Sequence, residues 1–310
     1  MKRILIISIL VFSFLSSKSQ QSVMFSQYFT NDVIYNPAIS GSNDYNQFTL
    51  QSRQQWLGFE GAPLSANISY HGSLNNRSAM GGYLEYDRTT PSNQTNLQIN
   101  YAYHVPLNSD NTYLSFGLGA KVMYYYLNFE PGQLPPGYDP AYNDRAFEKF
   151  LGDASSGLYL YNEKFHVGYS VINMLQSSFN EEAGDGFGKN IEERVYYGMA
   201  GYKIKIDRDW HIEPSVLLRH RDNGDPEYNF STRLFYMDQI WTGLSIRSNQ
   251  SLAFSVGTNS DKIQSAYSFD HYFGEISQYQ LGTHEITMSI MIPNPVKGYY
   301  NYLNFHLLTI

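Results

Sequence analysis

The sequence predicts an all-β chain, an antiparallel transmembrane β-barrel of about fourteen strands with short periplasmic turns and long extracellular loops. Three observations carry this prediction. Apolar residues recur at every second position along the chain, the period of a strand with one apolar face. Aromatics make up 16%, with 28 Tyr, side chains whose apolar body and polar tip suit a membrane–water boundary. Connection lengths alternate between short and long, as they do in outer-membrane barrels.

The chain of 310 residues opens on a processing signal. Lys2 and Arg3 precede the apolar run "ILIISILVFSFL", and "SSKSQ" offers small residues for cleavage near Ser19 or Gln20. Residues 1–20 therefore read as a signal peptide and 21–44 as a periplasmic or lumenal segment. Lys2, Arg3 and Lys18 fall in the leader, so the remainder carries 18 basic against 28 acidic residues, a formal charge of −10. An acidic exported chain argues against nucleic acid as a partner. Cysteine is absent, which removes disulfides, thiolate metal sites and lipoprotein acylation; a chain retained at a membrane must then insert.

The barrel is expected over 45–292. Its segments in order are 45–56, 65–74, 78–87, 94–104, the stretch from Leu114, 151–161, 165–171, 193–206, 210–220, 227–236, 239–247, 251–259, 262–271 and 284–292. "LSFGLGAKVMYYYLNFE" (114–130) shows the pattern: Leu114, Phe116, Leu118, Ala120 and Val122 alternate with Ser115, Gly117, Gly119 and Lys121. At about thirteen residues it exceeds the usual soluble strand. Leu97, Ile99, Tyr101 and Tyr103 repeat the pattern, as do Ile286, Met288, Ile290 and Ile292. Pro214 removes a ladder donor, predicting a bulge or a shortened strand. Glu85, Asp87, Lys203 and Lys205 are expected in the lumen, and Trp56, Trp210 and Trp241 at interfacial girdles.

Even-numbered connections such as "NNR" (75–77) and "NEK" (162–164) are tiny, while odd ones include residues 128–149, 172–192 and 272–283. The longer even "VPLNSDN" (105–111) and the short odd "SNQ" (248–250) are exceptions. A soluble exported β-sandwich remains the alternative architecture. The tail 293–310, with two prolines and then an aromatic-rich stretch, has no assigned place in the barrel.

Catalytic signatures are missing: there is no H-E-x-x-H pair, no G-x-S-x-G elbow and no P-loop. Acid-rich loops at 181–193 and 221–227 match no defined calcium loop and read as solvated acids. The sequence thus predicts no enzyme, no cofactor and no metal centre.

Two segments near the N-terminus carry a family likeness: "FSQYFTNDVIYNPAISG" (25–41) and "RQQWLGFEGAP" (53–63). The chain resembles the PorP/SprF family of type IX secretion system membrane proteins. The likeness continues through "YAYHVPL", "LSFGLGAKV", "WHIEPSVLLRH", "IWTGLSIRS" and "HEITMSI". In the first motif it rests on Phe25, Ser26, Gln27, Tyr28, Tyr35, Asn36, Pro37, Ala38 and Gly41. In the second it rests on Arg53, Gln55, Trp56, Gly58, Phe59, Gly61, Ala62 and Pro63. The tail beyond Ile292 departs from the family pattern.

The resemblance implies an outer-membrane barrel tied to type IX secretion and gliding adhesins, and not an enzyme. Its implied partners are a secreted protein with a C-terminal sorting domain, periplasmic secretion components and the lipid bilayer. Asn36–Pro37 is expected to turn the chain under or into the barrel, since Pro fixes φ and Asn favours turns. The Trp56–Phe59 loop is a candidate recognition surface. A diffusion channel or hydrophobic-solute transporter is the alternative function.

Overall fold

In the computed structural model, residues 24–107, 111–127, 147–178, 191–248, 250–273, 277, 279–294 and 296 are described. The expected signal peptide and most of the 181–193 acidic loop and of the 293–310 tail lie outside them.

The strands are β1 (Tyr45–Gln54), β2 (Leu64–Ser73), β3 (Ser78–Thr89), β4 (Ser92–Pro106), β5 (Tyr113–Leu127), β6 (Phe147–Tyr161), β7 (Phe165–Ile172) and β8 (Val195–Tyr202). There follow β9 (Ile204–Lys205), β10 (Trp210–Arg221), β11 (Glu227–Tyr236), β12 (Ile240–Arg247), β13 (Ser251–Asn259), β14 (Ile263–Tyr272) and β15 (Thr283–Pro293). Each pairs antiparallel with its neighbour, and β1 pairs with β15, so the sheet has no free edge. Because β8 and β9 are two pieces of one wall strand, this is a closed barrel of 14 strands.

Pro214 explains the split. It pairs with Thr232 on β11 and by register stands opposite Tyr202, where β8 ends, one place short of the gap at Lys203. Register is the same on both sides of the gap, with Ser215 opposite Gly201 and Ile212 opposite Ile204. The expected bulge is therefore absent; one missing donor interrupts the partner strand, and β10 itself runs through.

The apolar row faces outward. Leu118 is 66% exposed and Ile286 60%, while their neighbours Gly117, Gly119, Glu285 and Thr287 are buried. Gln47, Thr49, Gln51 and Arg53 on β1 and Ser65, Asn67, Ser69 and His71 on β2 fill the inner face. A sandwich would seal the apolar rows between two layers; here they form the outer wall, as lipid requires. Trp210 follows the outward row and packs on Tyr236 with ring centroids 4.8 Å apart. Trp241 does not. It is 3% exposed and faces the lumen, because parity on β12 sends Ile240, Thr242, Leu244 and Ile246 outward.

One barrel end carries only short connections, the longest at residues 107–112; the other carries residues 55–63, 128–146, 173–194 and 273–282. The long-loop end also holds two tight turns, at residues 90–91 and 248–250. By the usual orientation of such barrels the short-turn end faces the periplasm.

Candidate functional site

The lumen is occupied by the chain's own N-terminal segment. Three single-turn 3₁₀ helices, Tyr28–Thr30, Asp32–Ile34 and Pro37–Ile39, lie inside the wall. Phe25, Ser26, Gln27, Asn36, Ala38 and Ser40 are all buried to 0% exposure. Residues 24–42 thus form a plug, which starts near the long-loop end and descends to the short-turn end, where β1 begins.

Charge holds its upper end. Arg53 on β1, Arg247 on β12, Asp270 on β14 and Glu285 on β15 converge on Ser26. Glu285 accepts the backbone N–H of Ser26 at 2.8 Å and of Gln27 at 2.9 Å, one on each carboxylate oxygen. Ser26 Oγ donates to Asp270 at 2.6 Å and accepts from Arg53 at 2.8 Å and Arg247 at 3.0 Å. Arg53 itself bridges Asp270 at 2.8 Å and Glu285 at 2.9 Å, and Arg247 also donates to the Met24 carbonyl. Two guanidinium groups thus face two carboxylates, and buried charges are tolerable only when paired in this way.

Steric fit holds its lower end. Asn36 caps the third turn by accepting the Ala38 N–H at 2.9 Å, and donates to the Leu158 carbonyl on β6 at 3.0 Å. The wall beneath it is glycine. A Cβ on Gly117 would lie 2.1 Å from the Ala38 nitrogen, and one on Gly157 2.0 Å from Asn36 Oδ1. Only a residue without a side chain lets backbone approach this closely. Further down, His104 contacts the Ser40 carbonyl at 2.9 Å, and Gly41 donates to His71 at 3.1 Å.

These positions sort the candidate residues into two groups. Phe25, Ser26, Gln27, Tyr28, Tyr35, Asn36, Pro37, Ala38 and Gly41 are buried in the plug, and Arg53 is the wall residue that latches it. Tyr28 reaches Ser215 at 2.8 Å, and Tyr35 packs edge-on against Tyr197 at 5.2 Å. The remainder shape the 55–63 loop. Gln55 donates to the Pro63 carbonyl at 2.9 Å, and Ala62 is buried. Trp56 packs edge-on against Phe59 and Tyr272, both at 6.3 Å. Gly58 and Gly61 adopt positive φ, +90° and +72°, and Phe59 stays 48% exposed. Leu57 exchanges backbone hydrogen bonds with Leu281 and Gly282, tying this loop to the 273–282 connection. Arg247, Asp270 and Glu285 escaped the sequence reading, since they meet Arg53 only through barrel closure.

Of the charges expected in the lumen, Glu85 and Asp87 point inward, accepting from Asn96 at 3.2 Å and Ser65 at 2.6 Å. Lys203 lines an inner cavity, whereas Lys205 is exposed at the rim, beyond the plug's reach. Among the described residues no group of three or more His, Asp or Glu is arranged to hold a metal ion.

A closed, lipid-faced barrel with a plugged, polar lumen defines an integral outer-membrane protein. The model of the type IX secretion system membrane protein family PorP/SprF matches residues 17–290, and the chain belongs to that family. No curated protein matches it. Solved barrels of similar shape include Acinetobacter baumannii Omp33, 11% identical over 82% of this chain and 100% of that one, with a TM-score of 0.45. The TodX monoaromatic hydrocarbon channel is 11% identical over 84% and 94%, with a TM-score of 0.47. A Pseudomonas aeruginosa FadL homologue is 9% identical over 83% and 92%, with a TM-score of 0.46.

Proposed function

We propose that this outer-membrane component of the type IX machinery holds particular secreted surface proteins, including those of gliding cells, and engages periplasmic secretion components, rather than conducting solute. The observation that supports this most is the plug, latched at one end by paired buried charges and seated at the other on glycine. A diffusion channel needs an open polar path, and this lumen is filled by the chain itself. Binding then falls to the ends of the barrel. At the long-loop end, Trp56 and Phe59 on a glycine-shaped loop supply the aromatic anchors common at protein interfaces. Residues 1–20 serve as the export signal in this reading, and N-terminal sequencing of the envelope-resident protein should start close to residue 20.

The test combines two measurements. The purified protein in planar bilayers should give no steady conductance. Replacing Trp56 and Phe59 together by Ala should release the cognate surface protein into the medium while the barrel stays inserted. A stable open-channel current, or normal surface retention in the double variant, would overturn the reading.

A further inference from the structure

The plug fills the lumen unevenly. Against β3–β7 it closes to contact, but beside residues 29–32, between the plug and part of the β10–β15 wall, a cavity of about 360 Å3 remains, within the range of small-ligand pockets. Asp238, in the 237–239 turn and largely exposed, stands at its mouth, so the cavity is reached from the short-turn end. Phe29, Thr30 and Asp32 of the plug form its other wall.

Its charges do not balance. Arg233 donates to Glu213 at 2.6 Å, and its guanidinium lies 4.1 Å over the Phe29 ring. Lys203 pairs with Asp238 at 3.0 Å, and His211 sits 3.3 Å from both Glu213 and Asp238. Asp32 has no ion-pair partner among the described residues. Three carboxylates thus share the cavity with one lysine and one arginine. A second observation is independent of charge. Thr287 on β15 is 2% exposed and lines the cavity, yet its hydroxyl has no hydrogen-bond partner among the described residues. Buried hydroxyls usually find a partner; this one, like those of Ser255 and Ser268 on neighbouring strands, lacks one among the described residues.

We propose that the cavity binds a cationic group, the ammonium or guanidinium of a lysine or arginine side chain on a polypeptide arriving from the short-turn end. Asp32 serves as counter-ion and the Thr287 hydroxyl as acceptor. The inference rests on the protein-binding role above and adds a location and a chemistry to it. A free amine shares that chemistry, but only a polypeptide gains further contacts along the amide- and hydroxyl-rich wall of Asn43, Gln47, Asn259 and Gln264. Burial pushes the Asp32 carboxyl up to about 7, so the site gains its negative charge near neutrality. Arg233, Glu213, Lys203, His211 and Asp238 face Asp32 across the cavity, and Tyr159 on β6 neighbours it.

The full-length protein in detergent is titrated with acetyl-Gly-Lys-Gly-amide, with its Gln counterpart and with butylammonium, following Trp241 fluorescence and calorimetry. The lysine peptide should bind at least tenfold more tightly than the other two probes, and more tightly at pH 8 than at pH 6. Asp32→Asn should weaken it at least tenfold and Thr287→Val several-fold, both variants keeping the heat-modifiable gel migration of a folded barrel. Equal binding of the Gln peptide, or indifference to Asp32→Asn, would overturn the site; butylammonium binding as tightly as the peptide would overturn a polypeptide as its source. The secretion role fails separately, if cells lacking the whole protein still display their surface proteins.

Discussion

At Arg53 a guanidinium with 2% exposure is held by carboxylates from two other strands, and the same group fixes the plug through Ser26. Removing one partner of a buried ion pair leaves uncompensated charge, at a cost of about 3–5 kcal/mol. Arg53→Ala should therefore lower the thermal midpoint of the detergent-solubilised barrel by several degrees. Arg53→Lys should recover only part of the loss, since an ammonium cannot reproduce the fork that spans Asp270 and Glu285. Asp32 makes the opposite prediction. Its carboxyl is raised from the ordinary 3.8 to about 7 by burial, so between these values the folded protein binds a proton that the unfolded chain releases. Its contribution to stability then falls as pH rises from about 4 through 7 and is flat above. Asp32→Asn should narrow the difference between the thermal midpoints at pH 5 and pH 8. Arg53 was legible as a motif residue, but its role was not. Asp270 and Glu285 come more than 200 residues later, and no local spacing announces a contact made by closing a barrel.

Among elements, the strands were the most legible. A side-chain period of two places a whole strand once its first few residues are read, so even β5 (Tyr113–Leu127) follows from Leu114, Phe116 and Leu118. The plug has no period to read. Residues 24–42 carry only the turn chemistry of Asn36–Pro37, and their fit depends on Gly117 and Gly157, which look like ordinary strand glycines in sequence. A Cβ on Gly81 would lie 2.6 Å from Ser40 Oγ, so side chains at these two positions must meet. In a chain without other cysteines, Ser40→Cys with Gly81→Cys should form one bond, seen as a gel shift that a reductant reverses. Gly117→Val, in contrast, should unseat the plug, because the new side chain would meet backbone atoms of Pro37 and Ala38 rather than a flexible tip. Limited proteolysis within residues 24–42 would report the release.

Taken as a whole, the molecule is apolar outside and polar within, the reverse of a water-soluble fold. Mean hydropathy, −0.39, conceals this because outward and inward residues alternate and cancel. The protein should resist alkaline carbonate, require detergent for extraction, and migrate differently on gels before and after boiling; extraction by carbonate alone would contradict the lipid-facing wall. Segregated connection lengths revealed both closure and orientation, despite the tight turns at residues 90–91 and 248–250 on the long-loop end. Trp241 stands near a strand end, as girdle aromatics do, but the parity of β12 turns it into the lumen.

Glu285 occupies the seam where the last strand zips onto the first, opposite Arg53, and grips the amides of Ser26 and Gln27 from there. A chain stalled short of β15 can therefore neither seal its wall nor fasten its stopper.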